Sequence, residues 1–302
     1  MVDPLAEVVA LLRPETPFSK LVSAAGSWLV RRSEYGQPFY GVVLEGSCRL
    51  AIDGAESMIL EPGDFVLIPS ADSFTMSSLE PPVSAGAPPV KLADGEFRLG
   101  TQSGAPEMRA LIGYCEFGSP DAALLVSLLP RLVHVRGEKR LATLVELVRD
   151  ESRHQLPARD VVLARLLEVL LIEALRSTAG TTASPGLVRG LADERLAAVI
   201  RRMHEEPTKS WTVGQLAKEA ALSRSAFFVL FNRAVGLAPM EYLLAWRMAL
   251  AKTFLRQNKC AVADVAERVG YSSASTFSVA FTRYVGLPPA RYARNTVTQS
   301  TV

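Results

Sequence analysis

The side chains that could bind anions are concentrated in the last third of the chain, around a unit that occurs twice. Arg233 and Arg283 hold equivalent places in FNRAVGLAPMEY (231–242) and FTRYVGLPPARY (281–292). Phosphate oxygens are attracted by cations and by the free amides and hydroxyls at the start of a helix. The residues that we expect to bind phosphate are Lys209, Thr212, Ser223, Arg224, Arg233, Ser273 and Arg283. A repeated set of this kind favours binding to an extended polyanion.

The distribution of charge supports this interpretation. From Leu187 onward the chain has 16 Lys and Arg against 8 Asp and Glu, whereas the remainder has 17 against 23, although the net charge is only +2. The polar stretch STAGTTASPG (177–186) between the two parts has nothing to bury and is typical of a linker. We therefore predict an acidic domain over 1–177, a linker over 178–187 and a basic domain over 188–302.

The basic domain has the pattern of two helix-turn-helix units. Thr212 and Gln215 are spaced as a capping box, and Ser223 and Ser273 are candidate caps of a second helix in each unit. The segment from Met240 to Gln257 predicts a helix of roughly 25 Å, which would hold the two units near the ~34 Å spacing of successive major grooves. The phenylalanines that we expect to face the core of these units are Phe227, Phe231, Phe277 and Phe281.

These residues resemble the AraC family of transcription regulators over roughly Glu194 to Arg294. The matching motifs are AFxxxF, GLxPxxYL, VAxxVGYxSxSTFSxAF and GLPPxRY, with Arg247 between the two units, where we expect a structural ion pair. The resemblance implies that double-stranded DNA is the partner. By the same resemblance, the residues that would contact bases are Ser225, Phe228, Val229, Ala274, Ser275, Ser278 and Val279.

Two of these positions depart from a common pattern of the family, since Val229 and Val279 stand where many members carry arginine. Arginine can bond guanine bidentately for ~1–3 kcal/mol of discrimination, whereas valine offers only contact with a thymine methyl or another apolar edge. We expect a DNA site that is read mostly through hydroxyls, methyl contacts and DNA shape. The alternative is a nonspecific or architectural DNA binder.

The acidic part has the short apolar strands and turns of a β-structure. Leu44, Cys48, Leu50 and Ile52 share one parity, which predicts one buried face, and EPGDFVLIP (61–69) predicts a turn followed by a buried strand. Over Pro4 to about Val135 this part resembles the cupin-like barrel that precedes the DNA-binding domain in a subgroup of AraC regulators. The fold class is therefore α+β, with a cupin-like β-barrel and flanking helices followed by an all-α domain.

The histidines argue against a cupin enzyme. Metal-dependent cupins need a cluster of histidines with a carboxylate, and the chain has only His134, His154 and His204, at or beyond the end of the barrel. We therefore expect no catalytic residues, no metal and no cofactor. A cupin-type protein that only binds a ligand remains an alternative.

The barrel is instead expected to sense a signal. The candidate walls of an effector pocket are Trp28, Tyr40, Cys48, Phe65 and Phe74, although such aromatic residues also fill an ordinary core. Cys48 and Cys115 fall in predicted strands, which raises a second reading in which thiol oxidation is the signal; buried, inert thiols are the alternative.

The segment from Ala158 to Arg176 predicts a helix that is apolar on more than one side. Such a helix needs two partners, which are the barrel and either a second subunit or the rest of its own domain. We predict a homodimer.

No run of 18 apolar residues is present, the first residues lack the pattern of a secretory signal, and the three cysteines are widely separated. We accordingly expect a cytoplasmic, bacterial transcription regulator that responds to a small molecule or a redox signal, with RNA polymerase as a candidate further partner.

Overall fold

The computed structural model describes residues 2–32, 37–54, 56–70, 73–82, 88–92, 96–117, 122–154, 156–177, 185–256 and 261–299. The chain divides into two compact units. The sheet unit is Val9–Ser184, and the helical unit combines Met1–Val8 with Pro185–Val302. Most of the predicted linker, 178–184, lies outside the described residues, as does Cys260.

The sheet unit is built from two sheets. Its strands are β1 (Pro14–Ala25), β2 (Leu29–Arg32), β3 (Phe39–Glu45), β4 (Cys48–Ile52), β5 (Met58–Leu60), β6 (Phe65–Ile68), β7 (Phe74–Ser77), β8 (Val90–Lys91), β9 (Phe97–Gly100), β10 (Met108–Phe117) and β11 (Val133–Val135). The larger sheet has the order β11-β6-β3-β10-β1-β9-β8, and the smaller has the order β2-β7-β4-β5. Among the described strands, the pairs are antiparallel except for the parallel pair of β1 and β9.

The core of this unit lies between the two sheets and follows the alternation expected of half-buried strands. Cys48, Leu50 and Ile52 of β4 are buried, as their shared parity predicts, and the intervening residues are half-buried. Leu44, the fourth residue of that set, lies in β3 and is only half-buried. The predicted turn before β6 is also present, with Gly63 in the left-handed region at φ +87°. The sheet-rich fold predicted for this part of the chain is therefore confirmed.

The first four helices of the chain are α1 (Pro4–Leu12), α2 (Ala122–Val126), α3 (Lys139–Arg153) and α4 (Arg159–Arg176). Two of them, α3 and α4, cover part of the larger sheet. Helix α4 coincides with the predicted apolar helix and packs on α3 and β1. It buries one face through residues such as Leu163, Leu167 and Leu170, while Val162 and Val169 are each 40% exposed. Helix α4 thus keeps an apolar face on the surface of the sheet unit.

The remaining helices form the helical unit. They are α5 (Leu187–Ala192), α6 (Glu194–Glu205), α7 (Val213–Glu219), α8 (Arg224–Val235), α9 (Pro239–Arg256), α10 (Val262–Arg268), α11 (Ala274–Val285) and α12 (Pro289–Gln299). Helix α9 is continuous over 18 residues, as the absence of internal Gly and Pro predicts. No single described helix is long and apolar enough to cross a membrane, although α8 and α9 would pass the same test if taken together as a bent pair.

Candidate nucleic-acid interface

Helices α8 and α11 are two copies of one structural unit. Each has 12 residues, begins after a serine cap (Ser223 or Ser273) and ends at a glycine in the left-handed region (Gly236, φ 83°; Gly286, φ 82°). The cap hydroxyls accept hydrogen bonds from the amides of Ala226 and Thr276, at 3.3 and 3.1 Å. The fifty-residue repeat in the sequence therefore produces two helices with the same boundaries.

The same aromatic packing anchors both helices in the core. Phe227 and Phe231 of α8 are fully buried, with ring centroids 5.6 Å apart, and Phe231 meets Tyr242 edge-on at 5.8 Å. The second copy repeats this arrangement through Phe277, Phe281 and Tyr292, with centroid separations of 5.4 and 5.5 Å. Because the phenylalanines are spaced by four residues, they fix which side of each helix faces outward.

The outward side of each helix carries the candidate base contacts. In α8, Ser225, Phe228 and Val229 are exposed, the last at 65%. In α11, Val279 is 71% exposed and Ser275 is exposed. Several of these residues line two surface depressions. One is lined by Val213, Arg224, Ser225, Phe228 and Val229, and the other by Leu244, Tyr271, Ser275, Thr276, Val279, Ala280, Arg283 and Tyr284.

Two candidate positions on α11 are less accessible than the rest. Ala274 and Ser278 are half-buried, and the Ser278 hydroxyl donates to the carbonyl of Ala274 at 2.7 Å. Tyr284 lies in the same depression and is 40% exposed, but the sequence reasoning did not select it. Its position, three residues after Phe281 and next to Arg283, is the sequence feature that could have identified it.

The basic candidates lie around these outward faces. Arg224, Arg233 and Arg283 are exposed, and no described carboxylate forms an ion pair with any of them. Lys209 differs, because its ammonium lies 3.0 Å from Glu206 and 3.8 Å from the centroid of the Trp211 ring. Three of the four predicted cations are thus accessible to an anion without breaking an ion pair to a described carboxylate.

The hydroxyls at the helix starts serve first as caps. Thr212 and Gln215 form the predicted capping box, in which each side chain accepts from the other residue's amide at 3.2 and 2.8 Å. Ser273 additionally contacts the hydroxyls of Ser275 and Thr276 at 3.0 and 2.9 Å. At these positions the hydroxyls hold the helix starts in place.

The expected ion pair of Arg247 is not found within the described part of the chain. Its guanidinium donates instead to the carbonyls of Pro207 and Lys209, at 2.7 and 2.8 Å, and burial lowers its pKa. The expectation was wrong because backbone carbonyls in the connection before α7 take the place of a carboxylate. Arg247 therefore ties α9 to the segment that leads into the first helix-turn-helix unit.

The predicted pocket residues of the sheet unit separate into two sets. Trp28 and Phe74 line a cavity of about 270 Å³ between the sheets. Tyr40, Cys48 and Phe65 are buried and are not among the described residues that line it. Further residues of this cavity, in particular Lys20, Arg32 and Tyr114, were not predicted. The sequence indicates them only as cationic and aromatic residues in strands that are far apart in the chain.

The two cysteines named as redox candidates are buried thiols. Cys48 and Cys115 are at most 1% exposed, and burial raises the pKa of both thiols to about 12. Nearby carboxylates, Asp64 for Cys48 and Glu116 for Cys115, add to this effect. Thiolate is the reactive form, so both thiols are weak nucleophiles at neutral pH. In the described ranges, no three His, Cys, Asp or Glu side chains cluster closely enough to hold a metal ion.

Comparison with known proteins identifies the two parts. A cupin family model matches residues 3–180, and a helix-turn-helix domain model matches residues 216–295. A Streptomyces lividans protein named as an AraC-like transcription regulator is 34% identical over 303 residues, covering 97% of this chain and 98% of its own length. A Streptomyces antibioticus protein of the same name is 34% identical, with coverage of 97% and 99%.

Among solved structures, the DNA-binding domain of AdpA, a global transcriptional factor in complex with a target DNA, is 29% identical. It covers 34% of this chain and 93% of its own, with a TM-score of 0.33. The family assignment rests on the two sequence models and the full-length relatives. The chain belongs to the AraC family of transcription regulators, in which a cupin domain precedes a DNA-binding domain of the helix-turn-helix type.

Proposed function

We propose that this regulator reads one promoter site by placing α8 and α11 in successive major grooves on the same side of a duplex. The observation that carries the proposal is the equivalence of the two helices in length, caps, core anchors and exposed positions. An interface that used only one helix would give no reason for the second to keep these features. As part of this proposal we keep the domain boundaries that the sequence predicts, 1–177 for the sensor domain and 188–302 for the DNA-binding domain.

The proposed base contacts are made by the outward residues of the two helices, with Val229 and Val279 at their most exposed points. Valine contributes apolar contact with thymine methyl groups, while Ser225 and Ser275 supply hydroxyls. Arg224, Arg233 and Arg283 bind phosphates and set the register of the protein on the duplex. Specificity then depends on methyl positions and DNA shape more than on guanine recognition.

A competition experiment tests sequence-specific binding. Footprinting of the full chain on the intergenic DNA next to its gene defines a site, and a labelled duplex of that site is then competed with unrelated DNA. We expect a preference of ~10³ or more at physiological salt. Equal competition by unrelated DNA would refute the proposal and support the architectural alternative.

Two valine substitutions test the mode of reading. Val229→Ala and Val279→Ala remove the methyl contacts, so we expect each to weaken binding to the site several-fold, in line with ~1 kcal/mol per lost contact. Binding to unrelated DNA should not change. Val90→Ala, an exposed valine of the sheet unit, is the matched control. Unchanged affinity of both helix variants for the site would contradict the proposed contacts.

The signal that we propose is a small molecule bound by the sheet unit, because this unit contains a cavity, whereas its two described cysteines are buried and hard to ionise. DNA binding is measured before and after mild oxidant for the wild type, Cys48→Ser and Cys115→Ser. We expect identical curves in all three. A loss of binding that the serine variants prevent would establish the redox alternative.

We further propose that the protein acts in the cytoplasm as a homodimer, with RNA polymerase as a candidate further partner. The exposed apolar face of α4 supports the dimer, since such a face is stabilised by a second subunit. We assign no catalytic function, because the relatives of this chain are named as transcription regulators.

A further inference from the structure

Arg247 of α9 interacts with segments of both helix-turn-helix copies. Its guanidinium donates to the carbonyl of Pro207 at 2.7 Å and to the carbonyl of Lys209 at 2.8 Å. Both carbonyls lie in the connection between α6 and α7, which leads into the first copy. The guanidinium also interacts electrostatically with Tyr271, in the turn of the second copy. One side chain of α9 thus links the start of the first copy to the turn of the second.

The connection between α6 and α7 packs closely on that turn. A Cβ on Gly270 would lie 2.8 Å from Thr208 Cα and 2.9 Å from Arg247 Nη2. The absence of a side chain at Gly270 allows the two backbones to approach one another, with the guanidinium beside them. A side chain at this position would have to displace either the connection or the hydrogen bonds of Arg247.

The glycine at position 270 is required by this contact and not by the turn itself. The turns of the two copies share a backbone hydrogen bond of 2.9 Å, from Leu222 N to Ala217 O and from Tyr271 N to Ala266 O. The residue equivalent to Gly270 in the first copy is therefore Ala221, which is left-handed at φ 53° although it has a Cβ. The same turn accommodates alanine where no second segment packs on it so closely.

The connection is itself held in one shape up to the start of α7. The Trp211 indole is buried and donates to the carbonyl of Glu206 at 3.1 Å, and the Lys209 ammonium lies over the Trp211 ring at 3.8 Å. Thr212 follows directly and caps α7. A displacement of the carbonyls that Arg247 holds would therefore move the beginning of the first helix-turn-helix unit.

On the other side of Arg247, Tyr271 packs against α11. Its ring meets that of Phe277 at 63°, with centroids 5.5 Å apart, and Phe277 is one of the buried anchors of α11. Burial raises the pKa of Tyr271, and the charge of Arg247 partly opposes this effect. The side chain that holds the connection before α7 thus also neighbours the residue that packs on the second recognition helix.

We propose that Arg247 is a positioning residue that fixes α8 relative to α11, so that the two helices bind their half-sites as one rigid body. The gain from a second, linked binding event depends on how stiffly the two binding elements are joined. Loss of Arg247 would loosen the join and reduce this gain, while each helix could still read its own half-site. The inference rests on the proposed function, in which both helices bind one duplex.

Arg247→Met tests the role of this side chain in DNA binding. Affinities of the full chain are measured for the complete site and for two duplexes in which one half-site is replaced by unrelated sequence. We expect Arg247→Met to weaken binding to the complete site about tenfold or more and to leave both half-site affinities unchanged. Arg247→Lys, which keeps the charge but not two fixed donors, should give an intermediate loss. A residue that acted only in folding, or that bound phosphate, would weaken all three duplexes alike.

Gly270→Ala changes the same contact from the other side. The added Cβ pushes the connection away from the turn, so this variant should also lose affinity for the complete site relative to the half-sites. Ala221→Gly, at the equivalent position of the first copy, is the matched control and should keep the wild-type ratio.

A distance measurement tests the positioning without DNA. Spin labels are attached to Ser225→Cys and Ser275→Cys, which are exposed and equivalent on α8 and α11, in a Cys260→Ser background. The two described cysteines are buried and should not take up the label. We expect a single narrow distance distribution with Arg247 present and a broader one in Arg247→Met.

The outcomes separate this inference from the proposed function. An undiminished gain from the second half-site in Arg247→Met, an equal loss on all three duplexes, or an unchanged distance distribution would each refute the positioning role and leave the proposed function standing. A wild type that binds the complete site no better than one half-site would refute the paired reading. In that case the distance distributions still decide whether Arg247 positions the two helices.

Discussion

At the scale of single residues, the proposed phosphate contacts include one arginine on each of the two proposed recognition helices, α8 and α11. Arg224 and Arg283 are exposed, one on each helix, and form no ion pair with a described carboxylate. Each phosphate contact releases condensed counterions, so the logarithm of affinity falls with the logarithm of salt concentration by about 0.9 per contact. A cation that binds phosphate therefore leaves a measurable signature in the salt dependence.

We predict that Arg224→Gln and Arg283→Gln each reduce the salt slope of DNA binding by about 1, with similar losses for specific and unrelated DNA. Binding isotherms at several salt concentrations give the slope. Arg153→Gln, an exposed arginine of α3 in the sheet unit, is the control and should keep the wild-type slope. An unchanged slope in either recognition-helix variant would exclude that arginine from the phosphate contacts.

A second residue-scale feature is the buried histidine of α6. His204 has a fully buried side chain that stacks on Trp246 at 4.0 Å. Its ring nitrogens lie 2.7 Å from Glu7 Oε2 and 2.7 Å from the hydroxyl of Tyr242. Burial lowers its pKa, and Glu7 only partly opposes this effect. A neutral ring fits this arrangement, with Nδ1–H donating to Glu7 and Nε2 accepting from Tyr242.

This lowered pKa predicts a pH dependence of stability. The folded state binds a proton on His204 less readily than the unfolded state, so the free energy of unfolding decreases as pH falls below about 6.5, by at most about 1.4 kcal/mol per pH unit. Urea unfolding between pH 5 and 8 measures the slope. His204→Gln should flatten it, whereas His154→Gln, at an exposed histidine, should not. Equal slopes in His204→Gln and the wild type would contradict the assignment.

At the scale of the elements, two glycines of the second helix-turn-helix copy, one in its turn and one at the end of α11, differ in how tightly they are packed. Gly270 and Gly286 have nearly the same left-handed φ, 83° and 82°. A Cβ on Gly270 would lie 2.8 Å from Thr208 Cα and 2.9 Å from Arg247 Nη2, whereas nothing lies within 4 Å of a Cβ on Gly286. Alanine substitutions at these two glycines can therefore distinguish the cost of backbone strain from the cost of steric overlap.

We predict that Gly286→Ala costs about 1–2 kcal/mol of stability from the left-handed conformation alone. Gly270→Ala should cost a further ~1–3 kcal/mol, because the backbone of Thr208 cannot move away without disturbing the Arg247 hydrogen bonds. Chemical unfolding of both variants measures the difference. Equal destabilisation by the two substitutions would mean that the connection before α7 moves away from the added methyl group at no cost.

The sequence predicts the helical elements better than the cavity. Caps such as Thr212 and Ser273, terminal glycines and the four-residue spacing of the phenylalanines are local signals, so the helix boundaries can be read from short segments. The cavity depends on pairing between strands far apart in the chain, which brings Lys20 of β1 and Arg32 of β2 beside Tyr114 of β10. No local pattern contains this pairing. The carbonyl partners of Arg247 were unpredictable for the same reason.

Helix α4 carries the surface on which we base the dimer. Val162 and Val169 are each 40% exposed, and Leu166, half-buried, lies between them on the same face at a spacing of four and three residues. An apolar face of this kind on a surface helix is costly to leave in water and is typical of association.

We predict that Val162→Glu and Val169→Glu convert a dimer into a monomer, because each would place a charge in the apolar interface. Light scattering after size exclusion at micromolar concentrations measures the mass. Val90→Glu, which introduces the same charge at an exposed valine of β8, should remain dimeric. A monomeric wild type, or a dimeric Val162→Glu together with a dimeric Val169→Glu, would refute the α4 interface.

At the scale of the whole molecule, the proposed reading of DNA by both α8 and α11 requires that these two helices be held rigidly relative to each other. Helix α9 connects the two units as one continuous helix of 18 residues, about 27 Å long at 1.5 Å per residue. Its buried residues, including Tyr242 and Trp246, and the hydrogen bonds of Arg247 fix it within the helical unit. A flexible linker between the helices would tolerate different distances between their half-sites, whereas a packed helix does not.

This rigidity leads to a prediction about the DNA site. Insertion of 5 base pairs between the two half-sites turns the second one to the opposite side of the duplex, and insertion of 10 base pairs restores the side but moves it ~34 Å further away. Because α9 fixes the distance as well as the direction, we expect both insertions to reduce affinity to that of a single half-site. Affinity is measured by competition with the uninserted duplex. Recovery of binding at 10 but not 5 base pairs would mean that the two helices are flexibly joined, since only the side of the duplex would then matter.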